Sequence, residues 1–273
     1  MIAALLPEYP ELSAERCCRA CGIARSTLYR KPVVAGDAEI VEAIQTLLVQ
    51  FPRYGYRRVA AALGLTAKRA RTLMRRHRLS SNRPRRRRSS TIPGVWKGGA
   101  NLLKGRVPSR AGEVLAADVT AIPLVGGRWG YLAVVLDSFT RQVVGWAVSA
   151  RNDTKLTRDC LLMALGQTFV LPDWIHHSDR GSNYVSHDYR DLVIRNGGTT
   201  SYSDPARPTQ NARVESFFKT FKLEEAGCDL YADLEEAREA FADYFKLYNS
   251  LRLHSSLGMK TPDQFSKEHA ILQ

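Results

Sequence analysis

The chain has 273 residues and a formal charge of +13, with 40 Lys and Arg against 27 Asp and Glu, and 44% of its residues are hydrophobic. Length and apolar content suffice for one full core with helical appendages, and the basic excess points to nucleic acid as partner. No apolar run approaches a membrane span, Met1 to Leu6 is too short for a secretory region, no internal repeat is evident, and five cysteines without a framework point to a reducing cytoplasm, where a chain bound to nucleic acid would be nucleoid-associated.

Residues 1–37 read as a short helix-turn-helix-like segment. Cys17, Cys18, Ala20 and Cys21 fall in a first helix, Gly22-Ile23-Ala24 forms the turn, and Arg25-Ser26-Thr27 opens a second helix. Cys18 and Cys21 have C-x-x-C spacing, but no second Cys or His pair stands at zinc-finger distance, so they read as small apolar helix residues. Residues 38–79 read as a basic helix-turn-helix DNA-binding domain. An apolar-periodic segment around Val59, Ala62 and Leu63 ends at Gly64-Leu65, and Thr66 can cap the next helix. In that helix Ala70, Leu73, Met74 and His77 share one face, while Lys68, Arg71, Thr72, Arg75 and Arg76 occupy the other.

From Lys68 to Arg88 the chain carries eleven cations and no acid, among them Arg69, Arg85, Arg86, Arg87 and Arg88. A solvated charge run is the usual reading of such a cluster. Beside a helical motif, contact with DNA phosphates is the better one, and binding through them should weaken steeply with salt. Residues 80–112 mix Arg, Ser, Pro and Gly and read as a basic linker, anchored locally by Trp96 and by Leu102-Leu103.

Residues 113–225 read as an α/β catalytic core. Strand-like runs at Leu115–Ile122, Trp129–Leu136 and Val143–Ser149, with turns at Gly126-Gly127 and Thr140-Arg141, predict an antiparallel meander. Asp153-Thr154 opens a helical stretch to Phe169. A short strand before Asp179, a helix from Ser182 to Arg195 and a strand near Thr199–Tyr202 follow, and residues 226–273 form a C-terminal helical segment. The loop Ser203–Thr209 is rich in turn formers, and its mobility would let the following helix dock only when DNA and metal are bound.

Three acids stand in contexts suited to a divalent metal. Asp118 is a lone carboxylate in a buried strand, Asp179 sits at a strand end, and Glu215 lies on a helix whose apolar stripe is Val214, Phe217, Phe218 and Phe221. Asn211, Glu215, Lys219 and Lys222 line another face of that helix, an arrangement suited to a metal and a DNA phosphate together. The bland alternative is an ordinary i, i+4 Glu to Lys surface pair. Hard cations take carboxylate oxygens, and two of them can serve the attacking and leaving oxygens of a phosphoryl displacement. Asp137, a fourth acid, reads as a turn residue.

The 35 residues between Asp179 and Glu215 add weight, and so do Asp118-Val119-Thr120, Val144-Gly145-Trp146, His176 through Ser182, Asn211 through Phe218, and Tyr248-Asn249 with Arg252 and His254. With these motifs in order, the chain resembles the orfB-type DDE transposases of the IS-three insertion-sequence family, whose core is similar to retroviral integrase. Leu115 and Gln210 depart from it, standing where relatives often have Trp and Asp.

The resemblance implies an RNase H-like mixed sheet flanked by helices, preceded by small all-α helix-turn-helix segments. It implies Asp118, Asp179 and Glu215 as catalytic and metal ligands, with Mg²⁺ or Mn²⁺, two ions, as cofactor. The implied activity is cleavage and joining of DNA strands at terminal inverted repeats, in transposition and integration. Implied partners are double-stranded DNA at the element ends and target, further copies of the chain, and an upstream orfA product or frameshift fusion, with no membrane. Arg252 and His254 either touch DNA phosphates or cap and pack. A non-enzymatic DNA-binding regulator or inactive relic, and a nuclease without strand transfer, are the competing readings.

Overall fold

Strict alternation of inward and outward side chains builds the sheet first. The computed structural model describes residues 13–20, 22, 37–80, 99–204, 208–226 and 230–270. The strands are β1 (Val114–Pro123), β2 (Trp129–Asp137), β3 (Val143–Ser149), β4 (Ile175–Ser178) and β5 (Thr199–Tyr202), in the order β3-β2-β1-β4-β5. The three-strand meander is antiparallel, while β4 runs parallel to β1 and β5 parallel to β4. Parallel neighbours need crossover helices, and these supply the layers that cover the sheet.

Among the described residues the helices are α1 (Ala14–Ala20), α2 (Asp37–Gln50), α3 (Tyr56–Ala62), α4 (Ala67–Arg76), α5 (Thr154–Gln167), α6 (Ser182–Val185), α7 (His187–Arg195), α8 (Ala212–Glu224), α9 (Leu234–Ser250) and α10 (Pro262–Glu268). On one face Ala116, Ile122, Leu132 and Val134 pack under the aromatic stripe of α8 and under Phe241, Phe245 and Tyr248 of α9. On the other, Leu115, Ala117, Ala133 and Val135 meet Leu156, Cys160 and Leu161 of α5 and Tyr189 of α7. Burying one such large apolar side chain stabilises the fold by roughly 1.5–3 kcal/mol. Close approach of α5 to β3 depends on Gly145, where an added Cβ would stand 2.4 Å from the Cys160 carbonyl oxygen. A mixed sheet in this order, with helices on both faces, is the RNase H-like arrangement that the resemblance implies.

Most local signals hold. Asp153 Oδ1 caps α5 through the Leu156 N–H at 3.0 Å, and Thr66 caps α4 through the Arg69 N–H at 3.2 Å. Asp137 is a turn residue, its carboxylate accepting from the backbone N–H groups of Gly112, Phe139 and Thr140. Two details differ. The helix expected over 182–195 breaks at Ser186, whose backbone is extended (φ −59°, ψ 148°) and whose hydroxyl donates to the Asn183 carbonyl, closing the first turn. Of the expected anchors Leu102-Leu103, Leu103 is half-buried and Leu102 exposed, and hydrogen bonds fasten the segment after residue 98. The Ala100 carbonyl accepts from the Tyr202 N–H, and the Leu102 N–H donates to Ser201 Oγ. Cys21, residues 23–36, Trp96 and Arg85, Arg86, Arg87 and Arg88 lie outside the described residues.

The chain divides into two compact units, Met1–Ala43 and Ile44–Gln273. In the first, Cys18 is buried with its thiol free. In the second, the turn before α3 is fastened to the core: Arg53 Nη1 donates to Thr220 Oγ1 of α8 at 2.8 Å, and the Tyr54 hydroxyl accepts the Leu253 N–H. No helix among the described residues is long and apolar enough to cross a membrane.

Candidate active site

Strand alternation decides where Asp118 points. Ala116 and Ile122, two before and four after it, lie in the cluster beneath α8, so Asp118 faces that helix too. The parallel register pairs Val114 with Ile175, Leu115 with His176 and Ala116 with His177. Carried on by two residues, that register sets Asp118 opposite Asp179, just past the end of β4. Asp179 Oδ1 accepts the Gly181 N–H at 2.9 Å, and a Cβ on Gly181 would press to 3.0 Å from that same oxygen, so glycine leaves the carboxylate its room.

Glu215 comes from the first turn of α8, where the helix dipole favours an acid. What fixes that turn over β1 is Asn211, the residue just before the helix. It is buried, its side-chain amide donates to the Ala117 carbonyl at 3.1 Å, and its Oδ1 has no hydrogen-bond partner. Asn211 thus stands inside, as a clamp next to Asp118, rather than on the exposed stripe. Lys219 is on the surface, its ammonium 3.6 Å from Glu215. Such an exposed i, i+4 pair holds Glu215 by only about 0.2–0.5 kcal/mol.

The acids act on one another. Burial first, then the charge of Asp179 and that of Glu215, push the Asp118 carboxyl up to about 7, against a hydrogen bond from the Val119 N–H and the charge of Lys222. Burial lowers the Lys222 pKa, and Asp118 opposes that fall. Two like charges near a half-buried carboxylate make ionisation of Asp118 unfavourable until a cation arrives. Three carboxylates are an all-oxygen donor set of the kind hard divalent ions take, so the residues fit such an ion. Among the described residues, however, no three His, Cys, Asp or Glu side chains are gathered tightly enough to hold one. The acids share an electrostatic field without closing into a ligand shell.

Below the acids lies a network the sequence did not reveal. His177 is buried and bridges Ser201 at 2.9 Å and Ser203 at 3.1 Å, tying β4 to β5 and to the chain that leaves it. Arg180 Nε donates to the Ser203 carbonyl at 2.8 Å. Gln210 Oε1 accepts from Asn101 and from the Asp204 N–H, so this departure from the family pattern fastens the approach to α8. Burial lowers the His177 pKa to about 4. His176, bonded to Tyr189 at 2.8 Å, falls to about 3 through burial and then His177, so both rings are neutral struts. Ser201 and Ser203 at strand spacing facing a histidine were the available signal.

The remaining expected DNA contacts divide. Lys68, Arg69, Arg71, Arg75 and Arg76 are exposed on α4, opposite the buried Ala70, Leu73 and Met74. Arg252 is buried in a two-bond ion pair with Glu224, both bonds 2.8 Å, and its guanidinium lies over Tyr54 and Tyr248, so the capping and packing reading is the one its surroundings support.

Comparison with known proteins agrees with this architecture. The Integrase core domain family matches residues 108–208, and a second family of the same description matches residues 196–262. The transposase for insertion sequence element IS904 of Lactococcus lactis subsp. lactis (strain IL1403) is 38% identical over 61% of this chain and 64% of its own length. An uncharacterized 31 kDa protein of insertion element IS600 from Shigella sonnei is 35% identical over 62% of each chain. Transposase InsF for insertion sequence IS3A of Escherichia coli (strain K12) is 36% identical over 56% of this chain and 54% of its own. The chain thus spans less than two thirds of the curated relatives it matches. Among solved structures, an HTLV-2 integrase catalytic core domain aligns at a TM-score of 0.43 and 16% identity, over 57% of this chain and 97% of that one, too distant to bear on the chemistry.

Proposed function

We propose that the chain, which matches Integrase core domain models over residues 108–208 and 196–262, is a DDE transposase, a polynucleotidyl transferase that cuts and joins DNA at the terminal inverted repeats of an insertion sequence. On this reading residues 38–79 grip DNA, residues 113–225 are the catalytic core, and residues 226–273 complete it. One observation carries the reading: Asp118 faces α8 beside Asp179, with the charge of Glu215 within reach, and burial first and then those two charges suppress its ionisation.

Asp118, Asp179 and Glu215 would hold the divalent ions, Mg²⁺ or Mn²⁺. Once bound, such ions activate the attacking oxygen and stabilise the leaving oxygen of an in-line displacement, so no protein nucleophile is required. The chain's own groups do the rest. Asp118 would serve as a ligand only in its ionised form. Glu215, held only by its weak surface pairing with Lys219, would supply the third carboxylate. Lys219 and Lys222, on the same side of α8, would meet a phosphodiester as point charges. Asn211 keeps the start of α8 pinned to β1, so Glu215 cannot drift from Asp118. Water attacks first at the element end, and the 3′-hydroxyl so released attacks another phosphodiester, joining to its phosphorus and expelling that linkage's 3′ oxygen as a new hydroxyl. Holding two ends calls for two or more copies of the chain, and an upstream orfA product or fusion is a further partner.

The test is incubation of the protein with a labelled element-end duplex and Mg²⁺. Wild type should yield nicked ends and joined products, and Asp179→Asn should yield neither while still binding the duplex. Equal activity of the two proteins would remove the catalytic assignment.

A further inference from the structure

Three buried polar atoms in one region have no hydrogen-bond partner: Nε of Arg58, Nε of Arg141 and Nε2 of His254. Buried polar groups are nearly always satisfied, so three orphans together ask for a shared partner. They come from distant parts of the chain, α3, the β2–β3 turn and the segment after α9, and the charges of Arg58 and Arg141 both act on Tyr248. The His254 ring meets Tyr248 edge-on at 5.0 Å. Arg58 reaches the same segment through Ser255 Oγ at 3.5 Å and lies over the Tyr54 ring at 5.7 Å.

The β2–β3 turn that carries Arg141 is fastened at both sides. The Asn249 side chain bonds the Val143 N–H and carbonyl, each at 2.9 Å, and Gln142 Nε2 donates to Asp263 at 2.9 Å. Arg141 itself has φ 67°, in the left-handed region that favours glycine or asparagine, and residues kept in such a conformation cluster at functional sites. Arg213 adds a third cation beside Arg58 and Arg141. It sits one turn ahead of Phe217, whose ring packs on Tyr248 at 5.0 Å.

The field here is positive. His254 feels Arg252, Arg58 and Arg141, and burial together with those charges holds its pKa down to about 3, so it is a neutral ring. Burial and then the Arg213 charge lower the Arg141 pKa, while Asp137 opposes the fall at Arg141 and at Arg213. The carboxylates that reach the strip are already engaged: Glu224 accepts from Arg252 and Tyr244, Asp137 from three backbone N–H groups, and Asp263 from Gln142. Arg58, Arg141 and Arg213 are half-buried, so part of each residue meets solvent, while Nε of Arg58 and of Arg141 is itself covered and is uncovered only as a phosphate docks.

We propose that Arg58, Arg141 and His254, with Arg213 beside them, form a phosphate-binding notch that grips a phosphodiester of the DNA backbone. Guanidinium groups suit oxyanions because their N–H groups match two oxygens at once. The notch rests on the DNA-acting reading above but is separate from the carboxylates. Arg213 and Glu215, two residues apart on α8, project from nearly opposite sides of the helix. It therefore holds DNA away from the reacting phosphate, and because Arg58 belongs to α3, it ties the grip of the helical segment to that of the core.

The test is an anisotropy titration of a labelled element-end duplex with the full chain, metal-free, across a series of salt concentrations. Arg141→Gln should weaken binding about tenfold and reduce the slope of log affinity against log salt by about 0.9, one phosphate contact, while Arg141→Lys keeps the slope. Arg213→Gln should lower the slope in the same direction, and it carries the test if Arg141→Gln does not fold. A melting temperature lowered in either variant with an unchanged slope means a structural role and overturns the notch. If inorganic phosphate raises the wild-type melting temperature through Arg141 while the duplex slope stays unchanged, the site takes free phosphate and the DNA assignment falls. A wild-type chain that binds no duplex overturns the DNA-acting reading itself, whereas normal wild-type binding with unaltered variants overturns the notch alone.

Discussion

Replacing Asp118 with asparagine should stabilise the metal-free protein at alkaline pH while abolishing its activity. Burial, Asp179 and Glu215 raise the Asp118 carboxyl from 3.8 to about 7. An acid whose folded pKa is raised makes the fold lose stability as pH climbs from the unfolded pKa towards the folded one, because there the native state binds the extra proton. A rise of roughly three pKa units, at about 1.4 kcal/mol each, sets a ceiling of about 4 kcal/mol. Asp118 is only half-buried, so water screens the charges and about 2 kcal/mol is the expected size. Asparagine keeps the oxygen that accepts the Val119 N–H and removes the charge. Urea unfolding in EDTA should show the variant about as stable as wild type near pH 4, more stable as pH passes 7, and level beyond. Saturating Mg²⁺ should stabilise wild type and leave the variant unmoved. A stability difference that does not change with pH would refute the reasoning, since it would mean that Asp118 ionises freely beside the other two acids.

Asn211→Ala strips the Ala117 carbonyl of its side-chain donor, so urea unfolding should report a loss of about 1–2 kcal/mol. Strand cleavage should fall at least tenfold with duplex affinity little changed, and cleavage at the wild-type rate would show that the clamp does not position Glu215. Arg252→Met leaves Glu224 buried without its partner and should destabilise by about 3–5 kcal/mol, and adding Glu224→Gln should recover part of that. A mild effect on stability coupled to a large one on DNA affinity would instead put Arg252 at the DNA. Gly145→Ala drives a methyl group against the Cys160 carbonyl and the Ala164 backbone, so thermal unfolding should register a loss of about 1–3 kcal/mol.

What could be read from the sequence is what neighbouring residues decide. β1, β2 and β3 announce themselves as apolar runs between turn formers, Asp153 and Thr66 as caps, and the stripe Val214, Phe217, Phe218 and Phe221 as the buried side of α8. Each is a local rule of spacing or capping, and each is met within a few residues. The two strand-borne acids follow, since a lone carboxylate in β1 and another just past β4 stand out against apolar surroundings. Partners far apart in the chain leave no such trace. Nothing near Tyr54 tells that its hydroxyl takes the N–H of Leu253, 199 residues on, and nothing near Arg252 tells that Glu224 saturates it. Asn211 illustrates the limit: helical spacing aligned it with Glu215 and the lysines, but it precedes the first turn, where a short amide can fold back onto β1. The break at Ser186 is likewise a competition between a side-chain hydroxyl and the backbone, which composition alone does not decide.

The central claim is that Asp118, Asp179 and Glu215 close around a common divalent ion when DNA is present. Crystals of the protein with an element-end duplex and Mn²⁺, measured at the manganese absorption edge, test it directly. The expected result is anomalous density bonded to the carboxylates of Asp118 and Asp179, with Glu215 turned from Lys219 to complete the site. Manganese bound elsewhere, or no manganese between these acids with the DNA end seated, would contradict it.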